Sequence, residues 1–226
     1  LTLPHLEDLR VGYLEDIKSY VPTQEQSYLF YNIAEMTSLR HFRLYESALP
    51  IRFLDLTASK NLTSLHVESK KATLYDLGLP PTLQEVIVDV IGSQISGHGT
   101  SKPLFMSSLE KCSQLTSLTA LLFSSSSYSM LFDVLPTSLK RLQLQLLYDG
   151  SSDLLIKKLP ELELESLVVH SVPDSFLTGF SQLLLDGKLP KLREFCVSDP
   201  STFQLLPPNV FEVNPMLHFV YIQHKV

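Results

Sequence analysis

The sequence predicts an α/β repeat fold, a solenoid with a parallel concave sheet on one side and helices or irregular segments on the convex side. Three observations predict it: a recurring apolar pattern, the spacing of its copies, and segments of helical periodicity between them. The pattern is apolar-x-x-apolar-x-apolar, and it occurs nine times in 226 residues. Its copies, called rungs below, are Leu6/Leu9/Val11, Leu39/Phe42/Leu44, Leu62/Leu65/Val67, Leu83/Val86/Val88, Leu115/Leu118/Ala120, Leu139/Leu142/Leu144, Leu164/Leu167/Val169, Leu192/Phe195/Val197 and Leu217/Val220/Ile222.

Each rung predicts a short strand. Its last two apolar residues are two positions apart, which places both on one side of an extended chain while the residue between them faces the other side. A buried aliphatic side chain contributes only about 2 kcal/mol, so a single rung needs cover from neighbouring rungs. The first residues of successive rungs are 21 to 33 residues apart, and most of these steps match a stacking period of repeat proteins. We therefore predict a single repeat domain over residues 1–226.

Helical periodicity marks four segments between the rungs, at residues 24–36, 106–112, 130–135 and 176–185. In the last of these, apolar residues recur at three and four positions, as in the buried stripe of a helix, at Phe176, Leu177, Phe180, Leu183 and Leu184. Asp174 is placed to cap the start of this helix, and Gly187 follows shortly after its end. We expect these helices on the convex side.

Two rungs open with the motif of a known repeat family, Pro81-Thr82-Leu83-Gln84-Glu85-Val86 and Pro136-Thr137-Ser138-Leu139-Lys140-Arg141-Leu142. These resemble the Leu-Pro-x-x-Leu-x-x-Leu openings of irregular leucine-rich repeats, found in eukaryotic F-box proteins and in some bacterial effectors. The common repeat has Asn or Cys three residues after its third apolar position, and no rung here does. The resemblance is therefore to degenerate repeats, about nine of them, and implies the substrate-recognition part of a ubiquitin-ligase adaptor, or an assembly subunit.

Composition indicates the surroundings and the partners. The chain is 44% apolar and 19% charged, with no apolar run long enough to span a membrane. Its two cysteines, Cys112 and Cys196, fall in different predicted elements, which argues against a disulfide framework and favours an intracellular location in cytoplasm or nucleus. The net charge of −6 disfavours nucleic acid as a partner. Because the chain begins at Leu1, we expect a piece of a longer protein, in which an F-box could precede it.

No spacing in the sequence indicates catalysis. None of the seven histidines lies in a His-x-x-x-His arrangement, and no Cys-x-x-Cys pair or phosphate-binding Gly-Lys-Ser/Thr loop occurs. We expect no enzyme activity, cofactor, metal or small-molecule substrate. The triplet Asn61-Leu62-Thr63 is a glycosylation acceptor, which leaves a secreted or cell-surface leucine-rich-repeat recognition module as the alternative. A repeat platform attached to a separate catalytic domain is the enzyme-class alternative.

The rungs also predict the surface that binds a protein partner. In each, the residue between the last two apolar positions and those two before and two after it should project from the concave sheet. Arg and Tyr are residue types that anchor interfaces. The candidates form a polar-aromatic patch, an acidic strip and an aromatic far end; Arg141 stands apart, and Phe219 could alternatively pack under a C-terminal cap. They are His41, Arg43, Tyr45, His66, Glu68, Glu85, Asp89, Arg141, Phe219 and Tyr221.

Overall fold

The computed structural model describes residues 5–12, 33, 36–45, 54–69, 77–90, 103–121, 125–146 and 149–221. Most of the helix predicted over 24–36 lies outside these residues, as does Ile222 of the last rung. The chain divides into two compact units, Leu1–Leu115 and Thr116–Val226, called the first and second units below. The prediction of a single domain stays a prediction.

The first unit contains four strands that coincide with rungs. They pair in parallel in the order β1 (Asp8–Val11), β2 (His41–Leu44), β4 (Ser64–Ser69) and β6 (Glu85–Val90). Two further strands that the rung pattern did not predict, β3 (Leu54–Asp55) and β5 (Leu77–Gly78), form a separate parallel pair. A short helix, α1 (Leu104–Leu109), overlaps the segment predicted at 106–112.

The second unit contains the other five rung strands. They pair in parallel in the order β7 (Ser117–Leu121), β8 (Arg141–Leu146), β9 (Ser166–Ser171), β10 (Glu194–Val197) and β11 (His218–Tyr221). The helices are α2 (Ser125–Asp133), α3 (Asp149–Lys158), α4 (Asp174–Leu185) and α5 (Asn209–Val213), with 3₁₀ turns at Leu159–Glu161 and Pro200–Leu205. The α/β class and the parallel strands are thus confirmed.

Rung side chains form the core of each unit. Phe42, Leu65 and Val86 are fully buried in the first unit, as are Leu167 and Phe195 in the second. On most strands the side chains between the rung residues are half-buried or exposed, so the strand has one buried face and one open face; on β10 the intervening Cys196 is buried as well, and on β1 the rung residues are only half-buried. Below, the term open face means the side of a strand opposite its rung residues.

The register of the strands is set by a repeated hydrogen-bond arrangement at their starts. Thr63 and Ser64, the residue before β4 and its first residue, both donate their N–H to the carbonyl of Arg40, at 2.9 and 3.0 Å. Equivalent pairs of donors precede β2, β6, β8, β9 and β10. At β11 the register differs, since Glu194 pairs with His218 and Phe195 pairs with Phe219. The last strand therefore pairs one residue out of step with its rung.

Helices of the second unit pack on the buried side of its strands. The Tyr128 hydroxyl of α2 donates to the carbonyl of Ala120 on β7 at 3.1 Å, and the ring of Phe180 on α4 lies 4.5 Å from that of Phe195 on β10. The predicted apolar stripe of α4 is buried except at Leu183, which is half-buried. This packing covers the strands on the side where the rung residues lie.

The ends of α4 only partly follow the prediction. Its N-cap is Pro173, so the capping role predicted for Asp174 is wrong, because the helix already includes that residue. At the other end Gly187 has a φ of 65°, a left-handed conformation that glycine adopts without a Cβ clash. Lys188 donates to Leu183 at 2.9 Å and Gly187 to Leu184 at 3.1 Å, which satisfies carbonyls of the last turn.

Candidate functional site

The open face of the first unit is ordered into columns that run across its strands. Because the strands are parallel and in register, residues at equivalent positions lie side by side. The first column contains Asp8, His41, Ser64 and Glu85. The second contains Arg10, Arg43, His66 and Ile87. The third, at the carboxyl ends of the strands, contains Tyr45, Glu68 and Asp89.

Seven of the ten candidate residues come together on this face. We call them the recognition patch: His41, Arg43, Tyr45, His66, Glu68, Glu85 and Asp89. His41 and Glu85 are exposed, and the other five are half-buried. The columns predicted from the rungs are thus the columns of the structure in this unit, although the role of these residues in binding stays a prediction.

An aromatic contact lies at the centre of the recognition patch. The rings of Tyr45 and His66 meet edge to face, with centroids 5.1 Å apart. Burial lowers the pKa of the His66 imidazole below its usual value of 6.5, an effect that Glu68 opposes and Arg43 reinforces. The neutral imidazole is therefore favoured in the folded chain, and it adds aromatic surface rather than charge at neutral pH.

Two carboxylates lie side by side at the edge of the patch. Glu68 on β4 is in register with Asp89 on β6. Burial raises the pKa of the Asp89 carboxyl above its usual value, and the neighbouring charge of Glu68 raises it further. Glu85, nearer the start of β6, accepts a hydrogen bond from the Ser64 hydroxyl at 2.9 Å. Negative charge is therefore concentrated on β4 and β6.

An ion pair beside the patch was not singled out from the sequence. Arg10 donates to the carboxylate of Asp8 at 3.2 Å, and this hydrogen bond lowers the pKa of the Asp8 carboxyl. Their spacing of two residues in a strand places both on one face, which is the signal that could have found them. Because their charges cancel, Arg43, next to Arg10 in its column, is the cation that stays uncompensated among the residues of this face that the structure describes.

The other three candidates lie in the second unit and are not part of the recognition patch. Arg141 is exposed on the open face, in a column with Ser117, Ser166 and Glu194. In the same column Ser166 donates to the Glu194 carboxylate at 2.7 Å. The structure therefore gives Arg141, which the sequence left apart from the other candidates, a polar neighbourhood on the second unit.

The placement predicted for Phe219 on the open face is wrong. Because β11 pairs one residue out of step, Phe219 is in register with the buried Phe195, with ring centroids 6.2 Å apart. Rings of Phe203 and Phe211 also contact Phe219, at 5.5 and 4.8 Å, which corresponds to the alternative of a C-terminal cap. Tyr221, in register with Val197, remains 47% exposed.

The two thiols are buried, and the Asn61 amide is hydrogen-bonded. Cys112 and Cys196 are free thiols in buried positions, and burial raises their pKa to about 11 and about 12, with Glu194 contributing at Cys196. The side-chain amide of Asn61 donates to the carbonyl of Thr37.

Among the described residues, no group of three or more His, Cys, Asp or Glu is placed to hold a metal ion. In the same part of the chain, no helix combines the length and apolar character needed to cross a membrane.

Comparisons with known proteins add no relative. No protein-family model matches the chain, and no curated protein sequence matches it.

Proposed function

We propose that the chain is a non-catalytic recognition scaffold of the leucine-rich-repeat type, which binds a protein partner on the open face of its strands. In this proposal the strands line the concave side of a solenoid and the helices lie on the convex side. Support comes from nine parallel strands at the rungs and from the rung openings that resemble irregular leucine-rich repeats.

The observation that carries the proposal is the recognition patch. Half-buried charged groups cost free energy when no counter-charge compensates for their lost hydration. No ion pair joins Arg43, Glu68 or Asp89 to another residue in the described part of the chain. A partner that brings complementary charges would recover that cost, and the patch also offers Arg and Tyr side chains, which frequently anchor interfaces.

The finer proposal is an intracellular adaptor of the F-box type, in which this chain selects the substrate of a ubiquitin ligase, or a related assembly subunit. It rests on the degenerate character of the repeats, since the Asn positions of regular repeats are absent. Two free, buried cysteines accord with a reducing compartment. The secreted alternative is less well supported, since the Asn61 side-chain amide already donates a hydrogen bond to the Thr37 carbonyl within the chain.

The proposal is tested by affinity capture from the native source with the 226-residue chain and two charge-reversed variants. One variant combines Arg43→Glu with Glu68→Arg in the recognition patch. The control combines Lys140→Glu with Glu165→Lys, which reverses an exposed ion pair of 3.0 Å. We expect a partner that the unchanged chain and the control capture and the patch variant does not. If all three capture the same proteins, the patch does not bind the partner.

The adaptor version has its own readout. The natural full-length protein should also retain a ubiquitin-ligase scaffold subunit, and the patch variant should retain that subunit while it loses the substrate. A full-length protein that captures a substrate but no ligase subunit would contradict the adaptor version and leave the recognition scaffold intact.

A further inference from the structure

The charges of the recognition patch are unevenly distributed. Arg43 lies on β2, whereas Glu68, Glu85 and Asp89 lie on β4 and β6. The adjacent ion pair of Asp8 and Arg10 contributes no net charge. One guanidinium therefore stands on one side of the patch and three carboxylates stand on the other.

The strand geometry fixes the distances between these charges. Neighbouring strands are about 4.8 Å apart and residues rise by about 3.3 Å along a parallel strand. Glu68 is one strand and two residues from Arg43, and Asp89 is two strands and two residues from it. The Cα atoms of the two acidic residues are therefore about 8 and 12 Å from that of Arg43.

We propose that the open face of the first unit binds an extended peptide segment with one basic residue over Glu68 and Asp89 and one acidic residue, two or four positions away, against Arg43. This inference rests on the proposed function, since it names the chemistry of the partner at the same patch. Side chains two or four positions apart point to the same side of an extended segment, and they are separated by about 7 and 13 Å. These separations bracket the distances of about 8 and 12 Å from Arg43 to Glu68 and Asp89.

The paired carboxylates select a cation. Glu68 and Asp89 are in register on adjacent strands, so their charges repel each other until a positive group lies between them. Tyr45, at the equivalent position on the β2 side, presents an aromatic ring beside Glu68. An Arg or Lys side chain reaching the carboxylates would also contact that ring, which strengthens the binding of a cation.

Other occupants fit this face less well. A nucleic-acid backbone would place phosphates on three carboxylates, whose repulsion would outweigh the attraction of Arg43. A purely acidic or purely basic segment would satisfy one side of the patch and be repelled by the other. The mixed-charge segment is therefore the occupant that complements both sides.

The test is a selection of random linear peptides displayed on phage against the 226-residue chain. Selected peptides are then measured in solution by fluorescence anisotropy. The chain variants are Arg43→Gln, Glu68→Gln with Asp89→Asn, and a control, Lys140→Gln with Glu165→Gln, all checked by thermal unfolding. Each peptide is also made with its Arg or Lys replaced by Gln, and separately with its acidic residue replaced by Gln.

We expect the selection to enrich peptides with a basic and an acidic residue two or four positions apart. Their affinity should be at least about tenfold weaker for each patch variant than for the unchanged chain, and the same for the control variant as for the unchanged chain. When the peptide lacks its basic residue, the variant at Glu68 and Asp89 should bind it as well as the unchanged chain does. When the peptide lacks its acidic residue, the same should hold for the variant at Arg43. Such coupling in a double-mutant cycle identifies the two contacts directly.

The remaining outcomes overturn the inference in distinguishable ways. Peptides that depend on the patch but carry no charge pair, or show no coupling, contradict the partner chemistry and leave the proposed function standing. If no peptide depends on the patch, both fail. Size-exclusion chromatography supplies a further check: a dimer of the unchanged chain that the patch variants abolish would show that a second copy is the occupant.

Discussion

Tyr45 and His66, on neighbouring strands of the first unit, meet edge to face with ring centroids 5.1 Å apart and an angle of 69° between their planes. Such an arrangement places the positive edge of one ring on the negative face of the other. It helps to fix the position of Tyr45, which follows the last residue of β2, and it contributes to the burial of the His66 imidazole.

The burial of His66 predicts a dependence of stability on pH. Its pKa is lowered in the folded chain from the usual 6.5, so the unfolded chain takes up the proton first as the pH falls. Stability rises with pH wherever the unfolded state binds more protons. The free energy of unfolding should therefore be undiminished by this group above about pH 6.5 and decrease as the pH falls below it towards the folded pKa.

Urea unfolding of the unchanged chain and of His66→Gln at several pH values between neutral and mildly acidic measures this contribution. The variant should show a shallower decrease below pH 6.5, because glutamine does not titrate. Since the chain has seven histidines, the difference between the two profiles is the relevant quantity. Parallel profiles would contradict the assignment of this pH dependence to His66.

Charge reversal in the recognition patch should separate binding from stability. Arg43→Glu combined with Glu68→Arg should weaken partner binding by at least about tenfold, since arginine is enriched among the hot-spot residues that contribute about 2 kcal/mol or more to an interface. Neither side chain belongs to the core, so the free energy of unfolding should change by no more than about 0.5 kcal/mol. Thermal unfolding together with a binding titration checks both halves, and a large loss of stability would mean that the patch supports the fold.

Truncation of a rung residue should have the opposite effect. Leu142, the second residue of β8, is 1% exposed, and Leu142→Ala should destabilise the chain by about 2–5 kcal/mol, as cavity-forming substitutions do. The neighbouring Arg141→Ala, on the exposed side of the same strand, should change stability by no more than about 0.5 kcal/mol. Chemical unfolding of the pair tests the assignment of faces, which is wrong if both variants behave alike.

Most of the strand architecture could be predicted because its determinants are local. Alternation of apolar and polar residues fixes which side of a strand is buried, and the repeated hydrogen bonds to one carbonyl, as from Thr63 and Ser64 to Arg40, keep successive strands in step. The open-face columns, and thus the recognition patch, follow from the same alternation. The same alternation places Asp8 and Arg10 on one face, but nothing in the sequence distinguished this ion pair from other charged surface residues.

Features that depend on tertiary packing could not be predicted in this way. The aliphatic pattern at Leu217 and Val220 predicted a register for β11 in which Phe219 lies on the open face. The strand instead pairs one residue out of step, and the rings of Phe195 and Phe211 contact that of Phe219. Helix α3 (Asp149–Lys158) begins with a polar, glycine-containing stretch that has low helical propensity. It is packed against α2 and α4, and such packing commonly outweighs propensity.

Both cysteines should resist modification in the folded chain. The thiolate is the reactive form, and burial raises the pKa of Cys112 to about 11 and that of Cys196 to about 12. With an aromatic disulfide reagent at mildly alkaline pH, the native chain should react very slowly, whereas the chain unfolded in guanidinium should release two equivalents. Rapid reaction of either thiol without denaturant would show that its strand or helix opens readily.

The end of α4 offers a comparison of two glycines that differ in backbone conformation. Gly187 has a φ of 65°, where a Cβ is strained, although nothing lies within 4 Å of its position. Gly150, in α3, also has free space around a Cβ, but its backbone is helical. Gly187→Ala should therefore destabilise the chain by about 1–2 kcal/mol, whereas Gly150→Ala should be neutral or stabilise it by up to about 1 kcal/mol. Because neither alanine meets a neighbour, the difference in chemical unfolding measures backbone conformation alone, and equal effects would contradict the left-handed end of α4.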